Sequence, residues 1–238
     1  MIHIIPITDL PEVRPGDDLG LMLVRDFEAF DVLVVTQKIV SKAGDLFVDL
    51  ASVTPGQEAV RVAELTRKDP RLVELVLQES TAIVRAVPHV LITRHHSGCV
   101  MANSGIDQSN IGDGKTNCVL LLPRDPDVCA ARIREKLGIA VVISDSFGRP
   151  WRYGVTNVAI GAAGLPSLVD RRGSLDRDGR PMEVTQIALA DQIAAAAGLA
   201  MGEGNEGIPA VIVRGLKWDA SNAPAAALVR PLAEDLFQ

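Results

Sequence analysis

The sequence predicts an α+β fold, a mixed sheet with flanking helices arranged as two intimately packed subdomains. Short β-branched runs, above all Val32 to Val35 and Ala140 to Ile143, read as buried strands. Between such runs lie segments with apolar residues at helical spacing, one of them rich in alanine. The two kinds of element alternate irregularly, with no internal repeat, linker or low-complexity segment.

Met1 to Ile7 alternates loosely, like an edge strand, and closes in the turn signal Thr8-Asp9-Leu10-Pro11. Leu19, Leu23, Phe27 and Phe30 recur at helical spacing behind an Asp17-Asp18 pair, so 19–30 is predicted helical. The strand Val32 to Val35 runs into Thr36-Gln37-Lys38-Ile39-Val40-Ser41-Lys42, whose lysines, amide and hydroxyls suit a phosphate chain. An exposed basic turn is the commoner fate of such a cluster, and spacing alone favours it. Thr54 and Pro55 open a helix with Ala59, Val62, Ala63 and Leu65 inside. Pro70 to Ser80 forms a second, and strand-like stretches follow around Ile83-Val84 and Val90 to Ile92. His95 and His96 would point to opposite faces of a strand, so they are predicted to be solvent-exposed turn residues and not ligands of one ion.

The polar loop Met101 to Asn110 carries Asp107, and its oxygens suit a hard cation or a ribose. Gly114-Lys115-Thr116 is not a P-loop, because Ser109 stands where a glycine is required; Gly112 to Asn117 is read as a turn. After the short apolar Cys118 to Leu122, Asp125-Pro126-Asp127 opens a helix from Val128 to Leu137. Ala140 to Ile143 then ends in Ser144-Asp145-Ser146, with Arg149, Trp151 and Arg152 close behind. Taken alone, this stretch fits two readings equally: a capped turn with surface ion pairs, or a metal-holding carboxylate beside anion-binding arginines. The carboxyl end of a strand in an α/β unit is where ligands bind, which favours the second.

Gly154, Gly161 and Gly164 are spaced for close backbone packing, and Asp170 to Arg180 reads as solvated surface. Glu183 to Met201 is predicted to be one long helix, ending in the Gly202 to Gly207 loop before a strand at Ala210 to Val213. The tail after Trp218 is helical in propensity.

Composition excludes several functions. A net charge of −6 and 3% aromatics leave neither a positive field nor a stacking surface for nucleic acid. Three cysteines without C-x-x-C spacing suggest reduced thiols. No apolar run reaches the roughly 18 residues that span a bilayer, and the N-terminus lacks signal-peptide features, so a soluble cytoplasmic protein with no membrane partner is expected.

The stretches VLVVTQKIVSKA, NSGIDQSN, ISDSFGRPWRYG and MGEGNEGIPAVIVRG, in that order, strongly resemble the coenzyme F420-0:L-glutamate ligase family. The resemblance extends from LPEVRPGDDL to Arg214-Gly215. It implies a GTP-dependent enzyme that joins the amino group of L-glutamate to the lactyl carboxylate of F420-0 through an acyl phosphate. It also implies two Mg2+ or Mn2+ sites, a potassium ion and an intertwined homodimer. Carried over, the family pattern makes Asp107 and Asp145 ligands of one metal, with Ser146 and Glu203 completing a second. Leu10, Pro11, Glu12 and Val13, with Gln37, Lys42 and Asn110, match segments that hold GTP. So does the loop Met201, Gly202, Glu203, Gly204, Asn205, Glu206, Gly207 and Ile208. No catalytic acid or base is assigned; charge suggests Arg149 and Arg152 as substrate contacts. Ser146 replaces a usual threonine, Ser104 a usual alanine, and Glu203 occupies a Glu or Gln position. A single ligase domain over 1–238 is expected, without the nitroreductase-like domain that some relatives carry. The alternatives are a metal-dependent nucleotide phosphohydrolase using the same site, and a non-catalytic binding protein built on the alanine-rich helix.

Overall fold

The computed structural model describes residues 1–112, 115–219 and 221–235. The chain runs β1 (His3–Pro6), α1 (Leu19–Met22), β2 (Val32–Thr36), α2 (Gln37–Ala43), β3 (Phe47–Asp49), α3 (Gln57–Thr66) and α4 (Pro70–Gln78). It continues through β4 (Ser80–Val87), β5 (Val90–His95), β6 (Val100–Ala102), β7 (Cys118–Leu120), α5 (Pro126–Leu137) and β8 (Ala140–Arg149). It closes with β9 (Arg152–Ala163), β10 (Leu168–Asp170), β11 (Gln186–Ala188), α6 (Leu189–Met201) and β12 (Ala210–Arg214). The fold is mixed α+β, with several sheets. Gly114, in the turn read at 112–117, lies outside the described residues.

The main sheet has the order β1-β12-β2-β8-β9, with β2 and β8 parallel and the other pairs antiparallel. Its central strands are buried on both faces, which is why Val32 to Val35 and Val141 to Ile143 are continuously apolar. Alternate residues split between two cores. Leu33, Val35, Val141 and Ile143 pack with Ala130 and Ile133 of α5 and with Leu19 and Leu23. Val32, Val34 and Val142 pack with Ala190, Ile193, Ala194 and Ala197 of α6. A third cluster joins α3 and α4 to Leu91, Ile106 and Val119.

Helix ends follow local chemistry. Asp69 and Asp125 accept from Arg71 N and Val128 N, each ahead of a proline in the first turn, and α5 ends on Gly138 at φ 73°. The free edge of β9 is capped by carboxylates. Asp191 accepts from Ala159 N at 2.9 Å, while Asp127 accepts from Ala162 N at 2.7 Å and Ala225 N at 2.8 Å. Gly161 lies so close to α5 that a Cβ there would fall inside the Pro126 carbonyl.

Several elements differ from the sequence reading. The junction after β2 is helix α2, with Gln37, Ile39, Val40, Ser41 and Lys42 buried, so it is no exposed turn. The helix at 19–30 stops at Met22. The helix expected from Thr54 begins at Gln57 behind Gly56. The long helix expected from Glu183 begins at Leu189, after β11 pairs with β10. Strand β8 does not end at Ile143 but continues to Arg149, because β9 pairs with it throughout. The tail forms short 3-10 turns. His95 is 1% exposed, and its Nδ1 accepts from Ser97 N at 3.0 Å. Burial, with His96 close by, holds its pKa down at about 4. The Glu79 carboxylate, 3.8 Å from Nε2, is beyond hydrogen-bond range and does not reverse this. Among the described residues, no helix is long and apolar enough to cross a membrane.

Gly161→Ala is expected to lower stability by about 1–3 kcal/mol, since backbone on the α5 side must shift to admit the methyl group. Chemical denaturation of the two proteins checks this.

Candidate active site

A cleft of about 810 Å³ opens where β8 continues past β2, whose last pair is Thr36 with Ser144. Five stretches line it: Leu10 to Val13, Thr36 to Ile39 with Lys42, Asp107 to Gly112 with Lys115 and Thr116, Ser144 to Ser146 with Asn157, and Met201 to Pro209. Every residue that the family resemblance assigns to nucleotide or metal lines this space, whereas Ser41 and residues 101–106 of the polar loop do not. Nor do Arg149 and Arg152. They stand exposed near the tip of the β8–β9 arm, where Arg149 Nη2 donates to Tyr153 O at 2.8 Å, beside Trp151 (82% exposed) and Tyr153 (102%).

Asp107 is held firmly. Its N–H and carbonyl both bond Leu120 at 2.9 Å. The turn before it runs through left-handed backbone at Asn103, Ser104 and Gly105 (φ 50°, 54° and 72°), and Ser104 Oγ anchors it by donating to Glu79 O at 3.0 Å. Gln37 Nε2 donates to Asp107 Oδ2 at 2.5 Å, and Gln37 Oε1 accepts from Ser41 Oγ at 3.1 Å. Lys38 Nζ lies 2.5 Å from the same Asp107 oxygen and donates to Ser109 O at 3.2 Å. Lys42 pairs with Glu12 at 2.6 Å, and Asn110 Nδ2 donates to Gly204 O at 3.1 Å, tying the Asp107 loop to the glycine-rich loop.

Asp145 has a different environment. Burial and the Asp107 carboxylate, with a smaller push from Glu203, raise its pKa to about 7 against the Ser146 N–H and the Lys38 ammonium.

A family model described as F420-0:Gamma-glutamyl ligase matches residues 8–215. The chain belongs to this family. Among curated proteins it is similar to a coenzyme F420:L-glutamate ligase of Methanopyrus kandleri, at 42% identity over all of this chain and 98% of that one. The corresponding ligase of Methanothermobacter thermautotrophicus is 41% identical, over all of this chain and 99% of its own. That of Halorubrum lacusprofundi is 46% identical, over 90% of this chain and 87% of its own.

In this member of the F420-0:gamma-glutamyl ligase family, Asp107, Asp145, Ser146 and Glu203 offer oxygen donors only, which suits a hard divalent cation. Among the described residues, no three His, Cys, Asp or Glu side chains close into a ready-made metal cage. Magnesium-type sites need none, since waters and substrate phosphates complete the shell. A buried carboxylate, Asp145, crowded by a second at Asp107 on the wall of a cleft is short of positive charge, and a cation would relieve it.

The sequence offered Lys38 only as one of two lysines suited to a phosphate chain in a stretch read as an exposed turn; Lys115 was left in a turn and Asn157 had no role. Asn157 stands beside Thr156 in the otherwise apolar run Val155 to Ala163, a pattern too weak to single it out.

The raised Asp145 pKa fixes a sign. Between the ordinary Asp value and about 7 the folded chain holds a proton that the unfolded chain has released, so this group's contribution to stability is lost as pH rises through 7. In chelator, Asp145→Asn is therefore expected to raise the melting temperature more at pH 8 than at pH 5, as thermal melts at both values would show.

Proposed function

We propose that the chain is a GTP-dependent ligase of F420 biosynthesis, joining the amino group of L-glutamate to the lactyl carboxylate of coenzyme F420-0 and releasing GDP and phosphate. Family membership over nearly the full length supports the ligase reading. The observation that carries the GTP and metal assignments is the buried Asp145 carboxylate crowded by Asp107 in a cleft sized for a nucleotide. A carboxylate is a poor electrophile, and phosphorylation by GTP converts it to an acyl phosphate that an amine can attack.

Asp107 and Asp145 would hold one Mg2+ or Mn2+, with Ser146 and Glu203 at a second. Such ions supply charge neutralisation on the transferring phosphoryl group. Lys42, Asn110, Gln37, residues 10–13 and the 201–208 loop bind and orient the nucleotide. Lys38 adds a positive charge where phosphate would lie. A potassium ion, a homodimer, two packed subdomains within one ligase domain and a cytoplasmic location belong to the same reading. Nothing in it involves nucleic acid or membrane. Arg149 and Arg152 retain a substrate role only if F420-0 or a second chain reaches along the arm.

Incubation with F420-0, L-glutamate, GTP and Mg2+ is expected to yield glutamylated F420 by mass spectrometry. GDP release should require both acceptor substrates, and Asp145→Asn should reduce turnover on the order of 100-fold or more. GTP hydrolysis that proceeds equally without F420-0 and glutamate, with no glutamylated product, would instead establish a phosphohydrolase.

A further inference from the structure

Asn157 lies in the cleft without an assigned task. It pairs with Ser146 across the β8–β9 ladder, so the two side chains share a face with Cβ atoms about 5 Å apart. It is only 9% exposed, lines the cleft, and among the described residues its carboxamide makes no hydrogen bond. Neither of its polar atoms is among the fully buried ones left without a partner, so the carboxamide opens onto the cleft, where an occupant can bond it.

Helix α6 is shaped around this side chain. Within the run Ala194-Ala195-Ala196-Ala197-Gly198-Leu199-Ala200 there is one glycine, and a Cβ on it would overlap Asn157 Oδ1. Glycine weakens a helix interior relative to alanine, so the notch has a local cost and a visible use. With Oδ1 seated against Gly198, Nδ2 is the atom left to donate into the cleft beside Ser146.

We propose that Asn157 is a catalytic residue that binds the acid substrate, its Nδ2 donating to the carboxyl oxygen that does not take the phosphoryl group. This rests on the ligase reading above. One carboxylate oxygen attacks the γ-phosphorus and GDP leaves with the electron pair of the broken P–O bond; the other oxygen remains as the carbonyl. The glutamate nitrogen then adds to the carbonyl carbon, the C=O π pair moves onto that oxygen, and its return expels phosphate while the nitrogen gives its proton to solvent. A fixed neutral donor at this oxygen stabilises the developing charge without adding another charge to the cleft.

The test uses Asn157→Ala, Asn157→Asp and Gly198→Ala, assayed for glutamylated product and, with hydroxylamine replacing glutamate, for trapped hydroxamate. Asn157→Ala is expected to lower kcat on the order of 100-fold with KM for GTP unchanged. Asn157→Asp should be at least as impaired, because a carboxylate cannot donate and repels the oxyanion. Gly198→Ala should lower kcat by displacing the carboxamide, without lowering the melting temperature, which separates the role from a structural one. Wild-type kcat in Asn157→Ala or Asn157→Asp, or a loss expressed only as a raised KM for GTP, overturns the assignment alone. A wild-type protein that forms no glutamylated product overturns the ligase reading and the assignment together.

Discussion

Asp145 is carried into the cleft by a strand that continues past its parallel neighbour, and there its carboxylate meets Asp107 and Glu203 with burial already against it. Desolvation and like-charge repulsion both disfavour the ionised form. The fold tolerates the crowding because the backbone beneath is not free to relax. Strand β8 is paired on both sides up to Ser144, and Asp107 is pinned through Leu120 and a left-handed turn. Lys38 and Gln37, at the start of α2, partly offset the excess negative charge through Asp107. In the ligase proposed above, an external cation would take over the charge balance that Lys38 supplies to Asp107.

The rest of the architecture supports that arrangement. An aliphatic sheet with a helix layer on each face gives a stiff floor, and alanine in α6 allows the helix to lie close enough for Asn157 to reach its glycine notch. The exposed edge of β9 is closed by Asp127 and Asp191, so the strand that carries Asn157 is fixed at its far end by charge-assisted hydrogen bonds. The glycine-rich loop after α6 is tied to the Asp107 loop by Asn110 and Gly204, which couples two walls of the cleft.

The central strands were legible because burial on both faces leaves an unbroken β-branched run, and α4 and α5 because Asp-Pro caps announce them. Elements stabilised by tertiary pairing were not. The polar SDSFGR segment is strand only because β9 lies beside it, and Thr36 to Lys42 is helical because its apolar and amide side chains find a buried face. His95 looked exposed beside a second histidine, yet β5 turns one ring inward and the other out. At the site, ordered motifs drew attention to Asp107, Asp145 and the 201–208 loop. Lys38 was legible only as part of a lysine-bearing stretch; its pairing with Asp107, like the place of Asn157, depends on the geometry of α2 and of the β8–β9 ladder. The arginines of the same motif share its sequence neighbourhood but not the cleft, since an extended strand carries them away from Asp145.

The central claim is that a cation takes the place of a proton on Asp145. Calorimetric titration of Mg2+ into the GTP-bound protein near pH 6.5, in two buffers of different ionisation enthalpy, counts the protons released. The account predicts release of roughly three-quarters of a proton per chain, declining to none at pH 9 and absent in Asp145→Asn. Binding without proton release near pH 6.5, or the same release from Asp145→Asn, would contradict it.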